Sequence, residues 1–399
     1  MGGKMRGVTL VADWDPKPEF KLGPKDIEKR QTYLGSKVWR NPRLEIREYD
    51  IPKPREGEVL IKLKAVGICG SDVHMAQPDE NGYILYPGLT GFPCILGHEL
   101  SGEVVEVGKN AFDKWTNKAF KGGEYVCAEE MLWCGECRPC ADGYPNHCER
   151  LNEIGFNVNG AFADYIVLPA KYLWNLEPLK RFYKTDKDIF LAGSLCEPTS
   201  VAYNAVVERG GGIRPGDNVV ICGGGPIGLA AVAIMKKMGA ARVILSEPSK
   251  DRAALGKQLG ADFIIDPTAV DFADTVLSLT NGMGANLYLE ASGLPTIVYP
   301  DIEKAIWNGR AINATIVVVA RADAKMPVMG EVLQVKRARM IGAQGHSGHG
   351  TFPRVIECMG CGMDMTKLIT KKITLDEVID NIISLRTDKK NCKITCVME

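Results

Sequence analysis

Residues 217–266, DNVVICGGGPIGLAAVAIMKKMGAARVILSEPSKDRAALGKQLGADFIID, run through an apolar stretch, a glycine turn, an amphipathic helical pattern, a second apolar stretch, another helix and a third strand. That alternation is the signature of parallel strands joined by crossover helices. Gly223-Gly224-Gly225-Pro226-Ile227-Gly228 fits G-x-G-x-x-G, with the strand VVI before it and a helix after it. Glycines there permit a tight turn and close approach of a pyrophosphate, while the helix N-terminus offers unpaired N–H groups and a positive dipole end. Glu247 lies 19 residues beyond Gly228 at the end of the next strand. Its carboxylate can accept both adenosine ribose hydroxyls and would repel a 2′-phosphate, which favours NAD over NADP. Arg252 complicates this reading, because it could lie over the adenine or meet a phosphate. The competing interpretation of the glycines is a purely structural turn.

Strand and helix alternation continues through NLYLEASG and AINATIVVVA to about residue 340, and the tail carries the helical pattern LDEVIDNIISL and a final strand, KITCVM. The expected division is a catalytic domain over residues 1–202, an NAD-binding domain over 203–340 and a return of 341–399 to the first domain. Upstream, EVLIKLKAVGICGSD reads as a strand that stops at Gly67 and delivers Cys69, Ser71, Asp72 and His74 to a loop. Residues 76–95 look like a long Gly- and Pro-rich loop edging the site, and GHELSGEVVEVG suggests a strand pair with a turn at Gly108 and Lys109. AFADYIVLP alternates like a strand, and SLCEPTSVAYNAVVERG has the apolar spacing of a helix ending at Gly210. Residues 1–45 carry no motif and are expected to form a surface strand or extension.

The chain has 399 residues, 45% of them hydrophobic and 25% charged, and its 49 Lys and Arg balance its 49 Asp and Glu. No extended basic run exists to neutralise a nucleic-acid backbone or an anionic membrane. The start lacks the apolar core of a signal peptide, and no stretch approaches the roughly 20 apolar residues a membrane helix needs. A cytoplasmic location is the expectation.

Thirteen cysteines are an odd number, which argues against a disulfide framework. Cys134-x2-Cys137-x2-Cys140-x7-Cys148 gathers four soft ligands within 15 residues. This is the number and type that close a tetrahedral structural zinc site, against the alternatives of an iron–sulfur cluster or free thiols. Its work would be to fix the lobe 127–150. A catalytic metal needs about three protein ligands and an open position, and Cys69, His98, Glu99 and Glu197 could provide them. Singly, each has an ordinary alternative: a core thiol, a surface His–Glu pair, a structural buried Glu. Together they would place a metal between the two domains beside the nicotinamide, where it could polarise an alcohol oxygen.

GICGSDVH, GHELSGEVVEVG, the four-cysteine lobe, the Glu197-Pro198 dipeptide and ICGGGPIG occur in an order that resembles the zinc-dependent medium-chain alcohol and polyol dehydrogenases, over about residues 45–399. The resemblance implies an α/β architecture with a GroES-like β-rich catalytic domain and a Rossmann doubly wound parallel-sheet cofactor domain. It implies two zinc ions and NAD. Cys69 and His98 match catalytic zinc ligands, Glu197 matches the third ligand or the residue holding the zinc water, and Glu99 looks like the glutamate that binds or exchanges on the metal in sorbitol-dehydrogenase-type enzymes. Ser71 and His74 match a proton relay that runs through the nicotinamide ribose hydroxyl to solvent, and Asp72 matches the acid that orients the zinc histidine. Glu197, where enzymes of simple alcohols often have Cys, resembles the polyol branch, and the long 76–95 loop with the N-terminal extension resembles a branch acting on cyclic polyols and their ketones. A small polyol or cyclitol substrate is implied, specifically scyllo-inosose in inositol breakdown. A homo-oligomer, dimer or tetramer, is also implied.

Sorbitol, butanediol and threonine stay open as substrates, as does a non-catalytic NAD and zinc sensor. A sensor would not need Ser71, Asp72 and His74 arranged around a metal ligand. Cys358-x2-Cys361 has no partner pair nearby and reads as ordinary thiols, as do Cys392 and Cys396. His346 and His349, in GAQGHSGHG, are expected on a flexible glycine loop near the cofactor.

Overall fold

The structure is a computed structural model describing residues 3–322, 325–388 and 390–398. It divides into two compact units. One comprises the chain up to Glu197, Phe352–Cys361 and the segment from Ile369 on; the other comprises Pro198–Thr351 and Gly362–Leu368.

In the second unit, six strands form one sheet in the order Phe263–Ile265, Arg242–Ser246, Asn218–Cys222, Leu287–Glu290, Thr315–Val318, Arg339–Gly342. All its pairings are parallel. Val219, Val220, Ile221, Val243, Ile244 and Leu289 have no exposed surface. Such unbroken apolar runs arise because helices cover both faces of a parallel sheet, so no position along a central strand meets water. The chain starts in the middle strand, Asn218–Cys222, winds outward to one edge, and returns to lay Leu287–Glu290 on the other side of that strand. This reversal is the switch point at which open α/β sheets bind ligands. Helix Pro226–Lys237 follows the middle strand and helix Lys250–Leu259 follows the next, capped at Ser249, whose hydroxyl accepts from the Arg252 amide.

In the first unit the main sheet has seven strands. Leu173–Asn175, Tyr125–Ala128, Glu99–Val107, Glu58–Gly67, Lys393–Val397 and Ile369–Ile373 lie in that order, with Tyr165–Pro169 also pairing to Glu58–Gly67. Val59, Ile61, Leu63, Val66, Leu100, Val104, Val126 and Ile394 point into a shared core. Two pairings place the functional residues. Gly67 lies opposite Glu99 on one side and opposite Thr395 on the other, so the last strand of the chain flanks the segment leading into Cys69.

The motifless N-terminus is a long hairpin, Lys4–Trp14 with Trp39–Asp50, to which Cys94–Ile95 adds a third strand. It is anchored by fully buried Val8 and Leu10 and by Trp39, which packs edge-on against Trp14 and Phe92. After Glu99–Val107 the chain passes through two short strands, Phe112–Asp113 and Lys118–Ala119, before Tyr125–Ala128 pairs back onto it. The helical pattern of 194–210 resolves into an α-helix over Cys196–Tyr203 and a π-helical stretch over Asn204–Arg209. A separate helix, Asp186–Ser194, precedes it, capped by Thr185. Among the described residues, no helix is long and apolar enough to cross a membrane.

Candidate active site

The four cysteines of the lobe converge: the sulfurs of Cys134, Cys137, Cys140 and Cys148 all lie within 4.8 Å of one another. Backbone amides are aimed at them. Cys134 Sγ accepts from the amides of Glu136 and Cys137, both at 3.3 Å. Cys148 Sγ accepts from those of Cys134 at 3.2 Å and Arg150 at 3.3 Å. N–H donation favours the thiolate, and the Glu136 amide above all draws the Cys134 thiol down to about 6. Burial instead pushes Cys140 up to about 12. Four sulfurs at this spacing with preset N–H donors fit a closed metal site, because a divalent ion holds all four as thiolates where burial alone would protonate some.

The lobe has little core of its own, only Met131, Leu151 and the cysteines with Trp133 beside them. It is moored from outside. Buried Glu129 accepts from Trp133 Nε1 at 2.8 Å, Trp174 Nε1 at 2.9 Å and Lys114 Nζ at 2.9 Å. The Tyr172 hydroxyl and Lys171 Nζ both donate to the Trp133 carbonyl. Glu129 was not singled out from the sequence, because the signal is three donors that meet only in the fold.

A separate trio assembles at the end of the central strands. Cys69, His98 and Glu99 each bring a ligand atom within 4.8 Å of the others. Cys69 caps the short helix Gly70–Ala76, which carries Ser71, Asp72 and His74. Asp72 is fully buried; its carboxylate accepts from the Cys69 amide at 2.9 Å and the Gly97 amide at 3.3 Å. One of its oxygens stands 3.9 Å from His98 Nδ1. Burial by itself would lower the His98 pKa, but the neighbouring Cys69, Asp72 and Glu197 raise it well above the ordinary range. Burial raises the Asp72 carboxyl. Glu197 is buried and lies outside the trio, close enough for its charge to act on His98. His74 is on the exposed side of its helix, and the Ser71 hydroxyl is buried without a hydrogen-bond partner. The His98 ring packs on Phe156 at 4.8 Å, and Phe156 on Tyr86 at 5.2 Å, giving the site an aromatic wall.

Two buried atoms of the trio, His98 Nδ1 and Glu99 Oε2, have no hydrogen-bond partner. Unsatisfied groups in a dry site are costly. Soft sulfur, imidazole nitrogen and carboxylate oxygen are a donor set that suits zinc, which would relieve the cost at Glu99 Oε2, while Nδ1 faces the Asp72 carboxylate. Lys393 is the residue here that sequence reading missed. It is buried, and its Nζ donates to Glu99 Oε1 at 2.5 Å and to the Ile68 carbonyl at 3.0 Å. A lysine in the last strand, nearly 300 residues from Glu99, carries no local signal of this contact.

In the second unit, the glycine turn is built as its motif requires. Gly223 has φ +106°, and a Cβ there would lie 2.8 Å from the Ala291 carbonyl oxygen. A Cβ on Gly228 would fall 1.9 Å from the Gly223 carbonyl oxygen, so the helix can pack this closely only on glycine. Gly225 caps helix Pro226–Lys237 with no side-chain acceptor on the first amides, and its own outer side is open. Pro226 and Ile227 begin that helix. The Glu247 carboxylate accepts from the Gly224 amide at 2.6 Å and the Ser249 amide at 2.8 Å. It thus braces the turn through its own amides, and each oxygen retains a lone pair for a ribose hydroxyl. Arg252 sits in the first turn of the next helix. His346, expected on a flexible loop, is buried, whereas His349 adopts a left-handed backbone, φ +52°.

Comparison with known proteins identifies the family. The family model described as the alcohol dehydrogenase GroES-like domain matches residues 55–178, and that described as zinc-binding dehydrogenase matches residues 226–360. The chain is 64% identical over 398 residues to scyllo-inosose 3-dehydrogenase of Thermotoga maritima, covering 99% of this chain and all of that protein. A solved Thermotoga maritima structure described as an alcohol dehydrogenase superposes with a TM-score of 0.95 at 64% identity, over 99% of this chain and all of the other. L-threonine 3-dehydrogenase of Pyrococcus furiosus is 37% identical over 67% of this chain and 70% of its own.

Proposed function

The chain belongs to the zinc-binding alcohol dehydrogenase family with a GroES-like domain, and from that membership we propose that it oxidises a secondary alcohol of a cyclitol, scyllo-inosose, with NAD as hydride acceptor. It is an oxidoreductase of α/β medium-chain architecture. The observation that carries the substrate is identity of 64% along the entire length of a relative named for that compound. The threonine-named relative matches over only two thirds of this chain.

In this reading Cys69, His98 and Glu99 hold a catalytic zinc, with Glu197 as a further donor or as the holder of its water. Cys134, Cys137, Cys140 and Cys148 hold a second, structural zinc. When bound, the ion would supply Lewis acidity that makes an alcohol hydroxyl acidic near neutral pH, and NAD would supply the hydride acceptor. Asp72 keeps the His98 ring in place through its charge near Nδ1. The Ser71 hydroxyl would take the substrate proton as it gives up its own, and His74, exposed at the helix surface, would release a proton to water. Phe156 and Tyr86 exclude water from one side of the trio. Gly223, Gly225, Pro226, Ile227 and Gly228 seat the pyrophosphate. Glu247 takes the adenosine ribose and disfavours a 2′-phosphate, with Arg252 nearby. A cytoplasmic dimer or tetramer is the working form we assign.

The test is NAD reduction by the zinc-loaded protein against inositols, scyllo-inosose, sorbitol, butanediol and threonine, with and without a chelator. Chelator-sensitive turnover of scyllo-inosose is expected. Turnover only of an open-chain substrate would keep the zinc chemistry and discard the cyclitol.

A further inference from the structure

We infer that Lys393 is a positioning residue for the catalytic metal: its ammonium ties together the two segments that carry Cys69 and Glu99 and fixes the glutamate with one oxygen turned free for the ion. This rests on the reading that Cys69, His98 and Glu99 hold zinc.

Three observations carry it. First, Lys393 Nζ donates both to Glu99 Oε1, at 2.5 Å, and to the carbonyl of Ile68, the residue before Cys69, at 3.0 Å. One buried cation therefore bridges two ligand-bearing stretches that come from different strands. Second, the ion pair is one-sided. Lys393 occupies Oε1 alone, while Glu99 Oε2 is buried with no hydrogen-bond partner. A glutamate kept only to neutralise a buried lysine gains by satisfying both oxygens, whereas an oxygen left bare in a dry site calls for another partner. Third, room for that oxygen is made by the residue opposite. A Cβ on Gly67 would lie 2.0 Å from Glu99 Oε2, so only glycine at this register position leaves the carboxylate in its place.

The sheet explains why the C-terminus supplies the cation. Lys393 opens the strand Lys393–Val397, which pairs with Glu58–Gly67 on the side away from Glu99–Val107. The lysine thus approaches from behind, where it can grip Oε1 and the Ile68 carbonyl without taking a ligand position. A partner of this kind tunes affinity by orienting the ligand it holds.

The experiment compares Lys393→Met and Lys393→Arg with the unaltered full-length protein, each loaded with zinc or cobalt(II). Zinc release to a chelator and the visible absorption of cobalt at the Cys69 site are read alongside thermal unfolding. In Lys393→Met, one of two zinc equivalents should be released on the order of 10–100-fold faster, with an altered cobalt spectrum, while the four-cysteine zinc stays put. Lys393→Arg should restore both readouts towards the original. Because a lone Glu99 could unfold the first variant, Glu99→Gln and the double Glu99→Gln/Lys393→Met are measured too. If the lysine acts chiefly by fixing Glu99, the double variant releases zinc far more slowly than the product of the two single effects would give, the remainder being the bond to the Ile68 carbonyl. Folded Lys393→Met with unchanged release and spectrum, or additive effects in the double variant, would overturn the role of Lys393 alone. A wild-type protein that binds one metal ion, not two, would overturn the underlying metal site with it.

Discussion

Asp72 and His98 form a buried acid–imidazole pair in which the carboxylate stands 3.9 Å from Nδ1 and is itself held by the amides of Cys69 and Gly97. The same side chain thus fixes the backbone of one proposed ligand and faces the ring of another. Asp72→Asn keeps the size and an acceptor but removes the charge. Zinc at the Cys69 site should bind on the order of 10–100-fold more weakly, with the four-cysteine site unaffected. Competition with a chromophoric chelator measures this, and equal affinity for both ions before and after would refute it.

Glu129 moors the zinc lobe through Lys114, Trp133 and Trp174. Glu129→Ala removes the acceptor of two half-buried indole N–H groups and of the Lys114 ammonium, which keeps its bond to the Lys171 carbonyl. The expected cost is about 2–4 kcal/mol, below the upper end for a broken buried pair because Lys114 keeps some solvent contact. Chelator-induced loss of the structural zinc should then be followed by a red shift of Trp133 emission under conditions where the original protein shows none. An unchanged urea midpoint would speak against the mooring.

The two thiols Cys134 and Cys140 should differ sharply in reactivity once the metal is withdrawn. Amide donation, led by Glu136, holds Cys134 near 6, and burial holds Cys140 near 12. A depressed thiol is mostly thiolate at pH 7, so alkylation of Cys134 should plateau above that pH and fall about tenfold per unit below 6. Cys140 should stay slow through neutrality. Mass spectrometry of iodoacetamide adducts in the gently chelated protein resolves the sites; equal labelling, or labelling of Cys140 first, would contradict the assignment.

In the proposed cofactor seat Glu247 would face the 2′-position of the adenosine ribose, and its oxygens already brace Gly224 and Ser249. Glu247→Ser removes the repulsion and one brace. The ratio of kcat/KM for NAD over NADP should fall by roughly tenfold or more, that is by about 1.4 kcal/mol. A ratio that does not move would remove Glu247 from cofactor choice.

Local signals made much of the molecule readable from its sequence. The glycine turn, the strand before it and the acid after it are short-range features whose geometry follows from residue type. The four cysteines are legible from their spacing, and Cys69, His98 and Glu99 from their residue types, and the fold brings each set within 4.8 Å. What escaped depends on pairings distant in sequence. In the N-terminal hairpin the first strand buries Gly7–Leu10 in a row and the second buries Trp39 alone, so neither shows a sustained period-two pattern of buried residues, and the two strands, separated by residues 15–38, carry no motif. The helix Asp186–Ser194 went unread because its last six residues, Ile189–Ser194, are all buried and give it no polar face beyond the first turn. Lys393 and Glu129 acquire their roles only when the last strand and the loop after Tyr125–Ala128 reach their neighbours. The aromatic wall of Phe156 and Tyr86 likewise joins residues that sequence patterns leave unrelated.

The most direct measurement is turnover of scyllo-inosose by the Cys69→Ala variant, with its zinc content and NAD binding determined on the same preparation. The account predicts one zinc ion in place of two, NAD affinity within a few-fold of the original, and hydride transfer reduced to background. Full turnover with a single zinc ion would contradict it.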